Sequence, residues 1–316
     1  NAQRIWALEP SSKSTQFDAL VTVDSFGMRK PVGLPSAEKW LVLGDSSFFG
    51  HGVGDQDTLH AQLSTLWAEN GREVYGQCGA VPGYSILQTK LWMEELGWSL
   101  EPDVLVIGNL WSDNNFDHFQ DREWLNSLQH PATKMLRVLT RSQLFLWLAN
   151  QLRPPKLERG TPHGKISWLR DPTATGLRRV ELSDYSETLG ALIEEAEKRE
   201  VGVILVQPAN RYRVEGLVGE ATWDPYFKVQ AELGKHYQVL TVDAAAALSA
   251  FAIPVDQAFI DELHPSALAN RWIAQAIISA VQGRTQSLTP IENKRWENLP
   301  VDRWAKQSPF ETNIGR

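Results

Sequence analysis

The 316-residue chain has one cysteine, Cys78, so it can form no internal disulfide, and the paired-cysteine and cysteine–histidine spacings of zinc sites are absent. No apolar run approaches the ~18 residues that a spanning helix needs, which predicts no membrane span. No lysine- or arginine-rich run could follow a phosphate backbone, and the net charge of −7 argues against a nucleic-acid partner. The P-loop pattern and the G-x-S-x-G elbow are also missing.

The chain begins with Asn1 rather than methionine, which indicates a processed or trimmed sequence. Low cysteine content fits exported bacterial-type proteins as well as cytoplasmic ones. We expect an exported protein, periplasmic or extracellular, with a cytoplasmic location as the alternative.

Apolar runs alternate with helical patterns from Trp40 onward. Strands are predicted at 40–43, 73–76, 104–107, 201–206 and 239–242, and helices near 57–70, 84–96, 183–199, 224–236 and 264–281. Strands that alternate with helices form a parallel sheet covered on both faces, so the fold class is α/β with about five strands. Ligands of such folds bind where the strands end.

Four regions are expected along the chain. Residues 1–38 are predicted to be an irregular arm packed over the domain, and residues 39–283 to be the domain itself. An insertion at about 116–180 interrupts the rhythm, with a predicted helix over 136–152 and a long loop over 159–175. Residues 284–316 are predicted to be a loosely structured tail.

Two short motifs could carry chemistry. Gly44-Asp45-Ser46 follows a predicted buried strand, and Asp261-Glu262-Leu263-His264-Pro265 lies near the end of the core. Serine, histidine and aspartate are the components of nucleophilic hydrolases, and the three-residue spacing lets Asp261 accept from His264 Nδ1 while Nε2 faces a serine. Each motif also has a structural interpretation, as a turn or helix cap.

Other reactive side chains lack such a context. Cys78 is expected to be a small buried hydrophobic residue. The remaining histidines are expected at the surface or in packing contacts: His51, His60, His118, His130, His163 and His236. Most of the thirteen tryptophans are expected to be core or interface anchors.

Taken together and in order, these blocks resemble the SGNH, or GDSL, hydrolases over roughly residues 24–282. The matching blocks are Gly44-Asp45-Ser46, Pro82-Gly83, Ser112-Asp113 and Asp261-x-x-His264-Pro265, preceded by Asp24-Ser25-Phe26-Gly27-Met28-Arg29, which is similar to an upstream Asn-x-x-Gly-x-Arg segment. The resemblance implies a flavodoxin-like three-layer α/β/α fold and hydrolysis of acyl esters without a metal or other cofactor.

The resemblance also implies a role for each matched residue. Ser46 would be the nucleophile, His264 the general base, and Asp261 the residue that orients His264. The backbone N–H groups of Ser46 and Gly83 would form the oxyanion hole.

The third oxyanion donor departs from the family pattern. The family has an asparagine where this chain has Ser112, so either the Ser112 hydroxyl donates or a neighbour replaces it: Asn109, Asn114 or Asn115. Loss of one such donor typically lowers the rate by ~10²–10³.

Three functions remain open from the sequence. The first is a serine esterase that acts on a small-molecule or glycan ester. The second is an acyltransferase that passes the same acyl group to a sugar or metabolite hydroxyl. The third is a weakly catalytic ligand-binding protein on the same scaffold.

Overall fold

The computed structural model describes residues 4–117, 119–129, 177–216 and 221–287. The helix predicted over 136–152 and the loop predicted over 159–175 lie outside the described residues.

A six-stranded sheet forms the centre of the protein. The strands of the described residues are β1 Lys13–Gln16, β2 Ala19–Thr22, β3 Arg29–Val32, β4 Glu38–Leu43, β5 Val74–Cys78, β6 Val104–Ile107, β7 Phe116–Asp117, β8 Leu177–Arg178, β9 Gly202–Gln207 and β10 Leu240–Asp243. The central sheet has the order β10-β9-β6-β4-β5-β3, and its first five strands are parallel. This is the flavodoxin-like order, so the predicted fold class and the five parallel strands are confirmed.

Helices cover both faces of this sheet. The α-helices of the described residues are α1 Ser46–Phe49, α2 Leu59–Glu69, α3 Ile86–Glu95, α4 Trp111–Asn114, α5 Asp121–Gln129, α6 Leu182–Lys198, α7 Arg211–Val214, α8 Asp224–His236, α9 Ala244–Ala250, α10 Val255–Ala258 and α11 Ala267–Ser287. Alternate strand residues face opposite layers: Trp40 and Val42 join the core beneath α2 and α11, whereas Leu41 and Leu43 join the core beneath α3, α6 and α8.

The arm before residue 38 is more regular than the sequence predicts. Strands β1 and β2 form a hairpin, and β3 pairs antiparallel with β5 as the sixth strand of the central sheet. The expectation of irregular structure is wrong here. Strand β3 is short, charged and contains Pro31, so its sequence does not look like a buried strand, but a strand at the edge of a sheet accepts these residues.

The two ends of the predicted insertion meet each other. Phe116 pairs with Arg178 and Asp117 with Leu177, in a two-stranded antiparallel ladder. The two ends of the insertion therefore lie side by side, after β6. The exact limits of the insertion, the arm and the tail stay predictions.

The last helix begins later than the sequence predicts and ends later as well. His264 and Pro265 lie before the helix rather than in its first turn, because Pro265 forms a β-bridge with Phe259. Helix α11 continues to Ser287, into the first residues of the predicted tail.

Within the described residues, no helix combines the length and apolarity needed to cross a membrane.

Candidate active site

Ser46 lies at the carboxyl end of β4, next to the point where the strand order reverses between β4 and β6. It is the first residue of the one-turn helix α1, whose N-cap is Asp45. The fully buried Asp45 carboxylate accepts from the backbone N–H groups of Ser47, at 3.1 Å, and Ser112, at 3.2 Å. Asp45 therefore fixes the start of this helix and ties it to the loop after β6.

The Asp261–His264 segment is held by a local network. One carboxylate oxygen of Asp261 accepts from the backbone N–H groups of Leu263, at 2.8 Å, and His264, at 2.9 Å. The Ile260 N–H donates to the His264 carbonyl at 2.9 Å, and the Ser47 hydroxyl donates to the Leu263 carbonyl at 3.3 Å. The histidine loop is thus joined to the helix that begins with Ser46.

The two segments bring three sequence-predicted residues into one hydrogen-bonded chain. Ser46 Oγ lies 2.8 Å from His264 Nε2 across 218 residues of sequence. His264 Nδ1 lies 2.8 Å from the second carboxylate oxygen of Asp261. The order of groups is hydroxyl, imidazole and carboxylate, which is the arrangement of a nucleophilic triad.

The charge state of Asp261 suits this arrangement. Partial burial alone would raise the pKa of Asp261, but hydrogen bonds from the His264 ring and from the backbone of Leu263 and His264 outweigh it and hold that pKa well below its usual range. An ionised Asp261 favours the His264 tautomer with its proton on Nδ1. The Nε2 lone pair is then available to the Ser46 hydroxyl.

Gly83 occupies a tight turn in the loop between β5 and α3. The Tyr84 N–H donates to the Val81 carbonyl at 3.0 Å, with Pro82 and Gly83 in the central positions of the turn. Gly83 has φ +80°, which is the left-handed conformation that a type II turn requires at this place. Among the described residues, the backbone N–H groups of Gly83 and Ser46 have no acceptor.

Side chains from two distant segments hold this turn. The Trp6 indole N–H donates to the Pro82 carbonyl at 3.1 Å, and Arg179 donates to the Gly83 carbonyl at 2.9 Å. Arg179 is itself fixed by a buried ion pair with Asp121, with contacts of 3.0 and 2.7 Å. Because the Pro82 carbonyl and the Gly83 N–H belong to one peptide unit, the bond from Trp6 sets the direction of that N–H. No local pattern in the amino-acid sequence indicates these contacts.

The loop after β6 contains the candidates for a third donor. The Ser112 side chain is partly exposed, and its hydroxyl has no bond within the described residues. The Asn114 amide donates to Thr222 at 3.1 Å and accepts from Arg178 at 3.3 Å. Ser112 is therefore freer to meet a ligand than Asn114.

Asn109 is directed into the core rather than toward Ser46. Its side chain is fully buried, and its amide nitrogen donates to Thr89 at 2.9 Å. Asn115 caps the end of α4, where its carbonyl accepts from the backbone of Arg179 at 2.9 Å. Asp113, which follows Ser112, accepts from the backbone of Ile86 at 2.8 Å.

Arg29 supports the segment that follows α1. Its fully buried guanidinium donates to the carbonyls of Phe49 at 3.3 Å, Gly50 at 3.0 Å and Val53 at 2.6 Å, and to the Asp55 carboxylate at 3.1 Å. The Arg29 side chain thus provides hydrogen-bond donors for three backbone carbonyls at the end of α1 and in the loop that follows it.

His51 is the site residue that the sequence interpretation missed. Its ring lies 4.6 Å, centroid to centroid, from the ring of His264. Burial lowers the pKa of His51, and the nearby His264 and Arg29 lower it further. The sequence analysis expects His51 at the surface or in a packing contact, and its ring does pack, against the ring of the candidate general base.

The other reactive residues are placed elsewhere. Cys78 is buried in the core, and burial raises the pKa of its thiol to about 12, so the prediction of a small hydrophobic residue is confirmed. His60 is buried and His236 is exposed. His118, His130 and His163 lie outside the described residues.

Comparisons with known proteins agree with this architecture. No family model matches the chain, and no curated protein sequence matches it. The acetylxylan esterase Axe2 from Geobacillus stearothermophilus is similar in structure, with 19% identity, 79% of this chain and 96% of that chain covered, and a TM-score of 0.50. The lipase/acylhydrolase from Enterococcus faecalis has 17% identity, 78% and 96% coverage, and a TM-score of 0.49.

A lipolytic protein assigned to the G-D-S-L family, from Desulfitobacterium hafniense, has 13% identity, 77% and 98% coverage, and a TM-score of 0.47. The likeness to Axe2 and the strand order show that this chain has the SGNH/GDSL hydrolase fold. At 19% identity the likeness extends to the fold alone.

Proposed function

We propose that the protein is a serine esterase that cleaves carboxylic esters through an acyl-enzyme on Ser46. The observation that carries the proposal is the hydrogen-bonded chain from Ser46 through His264 to Asp261, with 2.8 Å at each step. Residues 218 positions apart meet in this geometry at the carboxyl end of a parallel sheet, where α/β folds bind ligands.

The proposed reaction has two halves. Ser46 Oγ attacks the ester carbonyl while His264 Nε2 takes the hydroxyl proton, and the tetrahedral intermediate then expels the alcohol, which receives that proton from His264. In the second half His264 Nε2 takes a proton from a water molecule that attacks the acyl carbon. The ester bond to Ser46 then breaks, Ser46 Oγ regains that proton from His264, and the carboxylic acid leaves. Asp261 stays ionised throughout and stabilises the charged imidazole.

The proposed oxyanion hole uses two backbone N–H groups and one hydroxyl. The N–H groups are those of Ser46 and Gly83, which have no acceptor among the described residues. Ser112 is the proposed third donor, because the Asn114 amide is engaged with Thr222 and Arg178. Donors fixed before the reaction stabilise the developing charge without reorganisation.

The test combines a probe with a substrate. Wild-type protein should react with a fluorophosphonate, and mass spectrometry of the labelled peptide should place the label on Ser46 rather than on the adjacent Ser47. Ser46→Ala should lose labelling and should lower kcat for p-nitrophenyl acetate by roughly 10⁶-fold. Ser99→Ala, which changes an exposed serine at the opposite end of the sheet, should behave as wild type.

Two outcomes would overturn the proposal. A folded Ser46→Ala variant with full activity would remove Ser46 as the nucleophile. A folded wild-type protein that neither reacts with the probe nor cleaves any ester would favour a binding protein. Acid release measured with and without added alcohol reports how the acyl group divides between water and an acceptor, which separates hydrolysis from acyl transfer.

A further inference from the structure

Phe17 breaks the local rules of the turn that contains it. It occupies the tip of the β1–β2 hairpin, a two-residue loop in which Phe17 has φ +46° and Asp18 has φ +65°. Two positive φ values define the type I′ turn, which prefers asparagine and glycine. A phenylalanine in this conformation is strained, and its side chain is also 67% exposed. Neither backbone preference nor burial explains phenylalanine at this position.

The Phe17 ring instead belongs to a row of rings that ends at the candidate base. It contacts His51 edge to face at 5.5 Å between centroids, and His51 lies 4.6 Å from His264. The row passes over the backbone of Gly52, where a Cβ atom would come within 3.2 Å of the Phe17 ring and 2.7 Å of Ile260. Phe17 therefore forms an exposed wall next to the site.

The hairpin that carries Phe17 is fixed to the rest of the site. The Thr22 N–H, at the far end of β2, donates to the Asp55 carboxylate at 3.0 Å. The same carboxylate oxygen accepts from the buried Arg29 at 3.1 Å. The position of the hairpin is therefore coupled to the arginine that supports the segment after Ser46.

The proposed reaction determines which part of the substrate meets this wall. The departing alcohol oxygen receives its proton from His264 Nε2, so it lies within hydrogen-bond reach of that ring when the ester bond breaks. The carbon skeleton of the alcohol therefore starts beside the His264 ring. The rings of His51 and Phe17 lie next along the protein surface, farther from Ser46.

We propose that Phe17 and His51 form the binding wall for the alcohol part of the ester, and that this alcohol has a flat apolar face. An aromatic ring and the C–H face of a pyranose both meet this description, because both pack against an exposed aromatic side chain. The proposal rests on the proposed esterase function. The lowered pKa of His51 agrees with an uncharged wall at neutral pH.

The test changes Phe17 to a residue that the turn prefers. Phe17→Asn suits the type I′ conformation, so its Tm should equal or exceed that of the wild type. Its kcat/KM for benzyl acetate, or for a monoacetylated methyl pyranoside, should fall ~3–10-fold through KM. Its kcat/KM for ethyl acetate should stay close to wild type. A loss confined to one of the two larger substrates identifies the alcohol as aromatic or as a sugar.

Leu34→Ala is the matched control. Leu34 is 56% exposed and belongs to the same arm, but it follows β3 beside the start of β5, at the opposite end of the sheet. The Leu34→Ala variant should leave the ratios of kcat/KM between these esters unchanged.

Three results would overturn the inference. In the first, the kcat/KM values of Phe17→Asn for the benzyl and pyranoside esters, each divided by its kcat/KM for ethyl acetate, equal those of the wild type. In the second, the ratio of kcat/KM for ethyl butyrate to kcat/KM for ethyl acetate changes instead, which places Phe17 beside the acyl part of the ester. In the third, Tm and ethyl acetate hydrolysis fall together, which assigns Phe17 a structural role. These outcomes differ from failure of the esterase proposal, in which wild-type protein cleaves none of the esters.

Discussion

His60 should make the stability of the protein depend on pH. Its ring is fully buried in α2, with Nε2 3.0 Å from the Lys30 carbonyl and 3.4 Å from the Thr58 hydroxyl. Its Nδ1 is buried and has no hydrogen-bond partner in the part of the chain that the structure describes. Burial lowers the pKa of His60 from 6.5 to about 4, with a smaller contribution from Arg29. The folded protein therefore keeps this imidazole neutral where the unfolded chain would protonate it.

The sign and size of the effect follow from proton linkage. Below pH 6.5 the unfolded chain binds a proton that folded His60 refuses, so the folded state loses stability as pH falls toward the folded pKa of about 4. The full loss below that pKa is about 3.4 kcal/mol, and at pH 5 the loss is about 2 kcal/mol. Above about pH 7 the contribution is fully retained.

Urea unfolding followed by tryptophan fluorescence measures this difference at about pH 7.5 and about pH 5. His60→Gln keeps an amide that can donate to the Lys30 carbonyl but does not titrate. From about pH 7.5 to about pH 5, the free energy of unfolding should fall by about 2 kcal/mol less in His60→Gln than in the wild type. His236→Gln, at an exposed histidine of α8, should keep the wild-type pH dependence. Equal losses in wild type and His60→Gln would contradict the role assigned to the buried imidazole.

Two further substitutions test how the site is supported. Trp6→Phe keeps an aromatic ring but removes the N–H that fixes the Pro82–Gly83 peptide, so kcat for p-nitrophenyl acetate should fall roughly tenfold with KM nearly unchanged. An unaltered kcat would show that Trp6 does not support the oxyanion hole. Arg29→Lys leaves buried carbonyls without donors, because one ammonium group cannot reproduce the planar fork. The free energy of unfolding in urea should fall by about 2–4 kcal/mol, and a change below about 0.5 kcal/mol would contradict the support assigned to Arg29.

The sheet could be predicted wherever a strand is buried on both faces. The segments around Trp40, Val104 and Val201 read as continuous apolar runs, because helices cover both sides of a parallel sheet. Strand β3 could not be predicted in this way. Among the described strands it pairs with β5 alone, and its charged and proline residues are acceptable because it lies at the edge of the sheet.

The start of the last helix shows the limit of local helix rules. Proline favours the first turn of a helix, which predicts a helix from His264 onward. In the fold, Asp261 holds the backbone of the next three residues in a turn, and Pro265 bridges to Phe259. The long-range bridge overrides the local preference, and the helix begins at Ala267.

The α/β class can be predicted from the amino-acid sequence alone, and so can the grouping of Ser46, Asp261 and His264 as one candidate set. Both predictions are possible because the carboxyl ends of parallel strands share an edge and because Asp261 and His264 are three residues apart. The surroundings of that set, in contrast, are visible only in the fold. Trp6 on the Pro82 carbonyl, Phe17 beside His51 and His51 beside His264 depend on how the arm and the segment after α1 cross the sheet edge. Contacts between such distant segments leave no periodic pattern in a sequence, so they become visible only when the chain is folded.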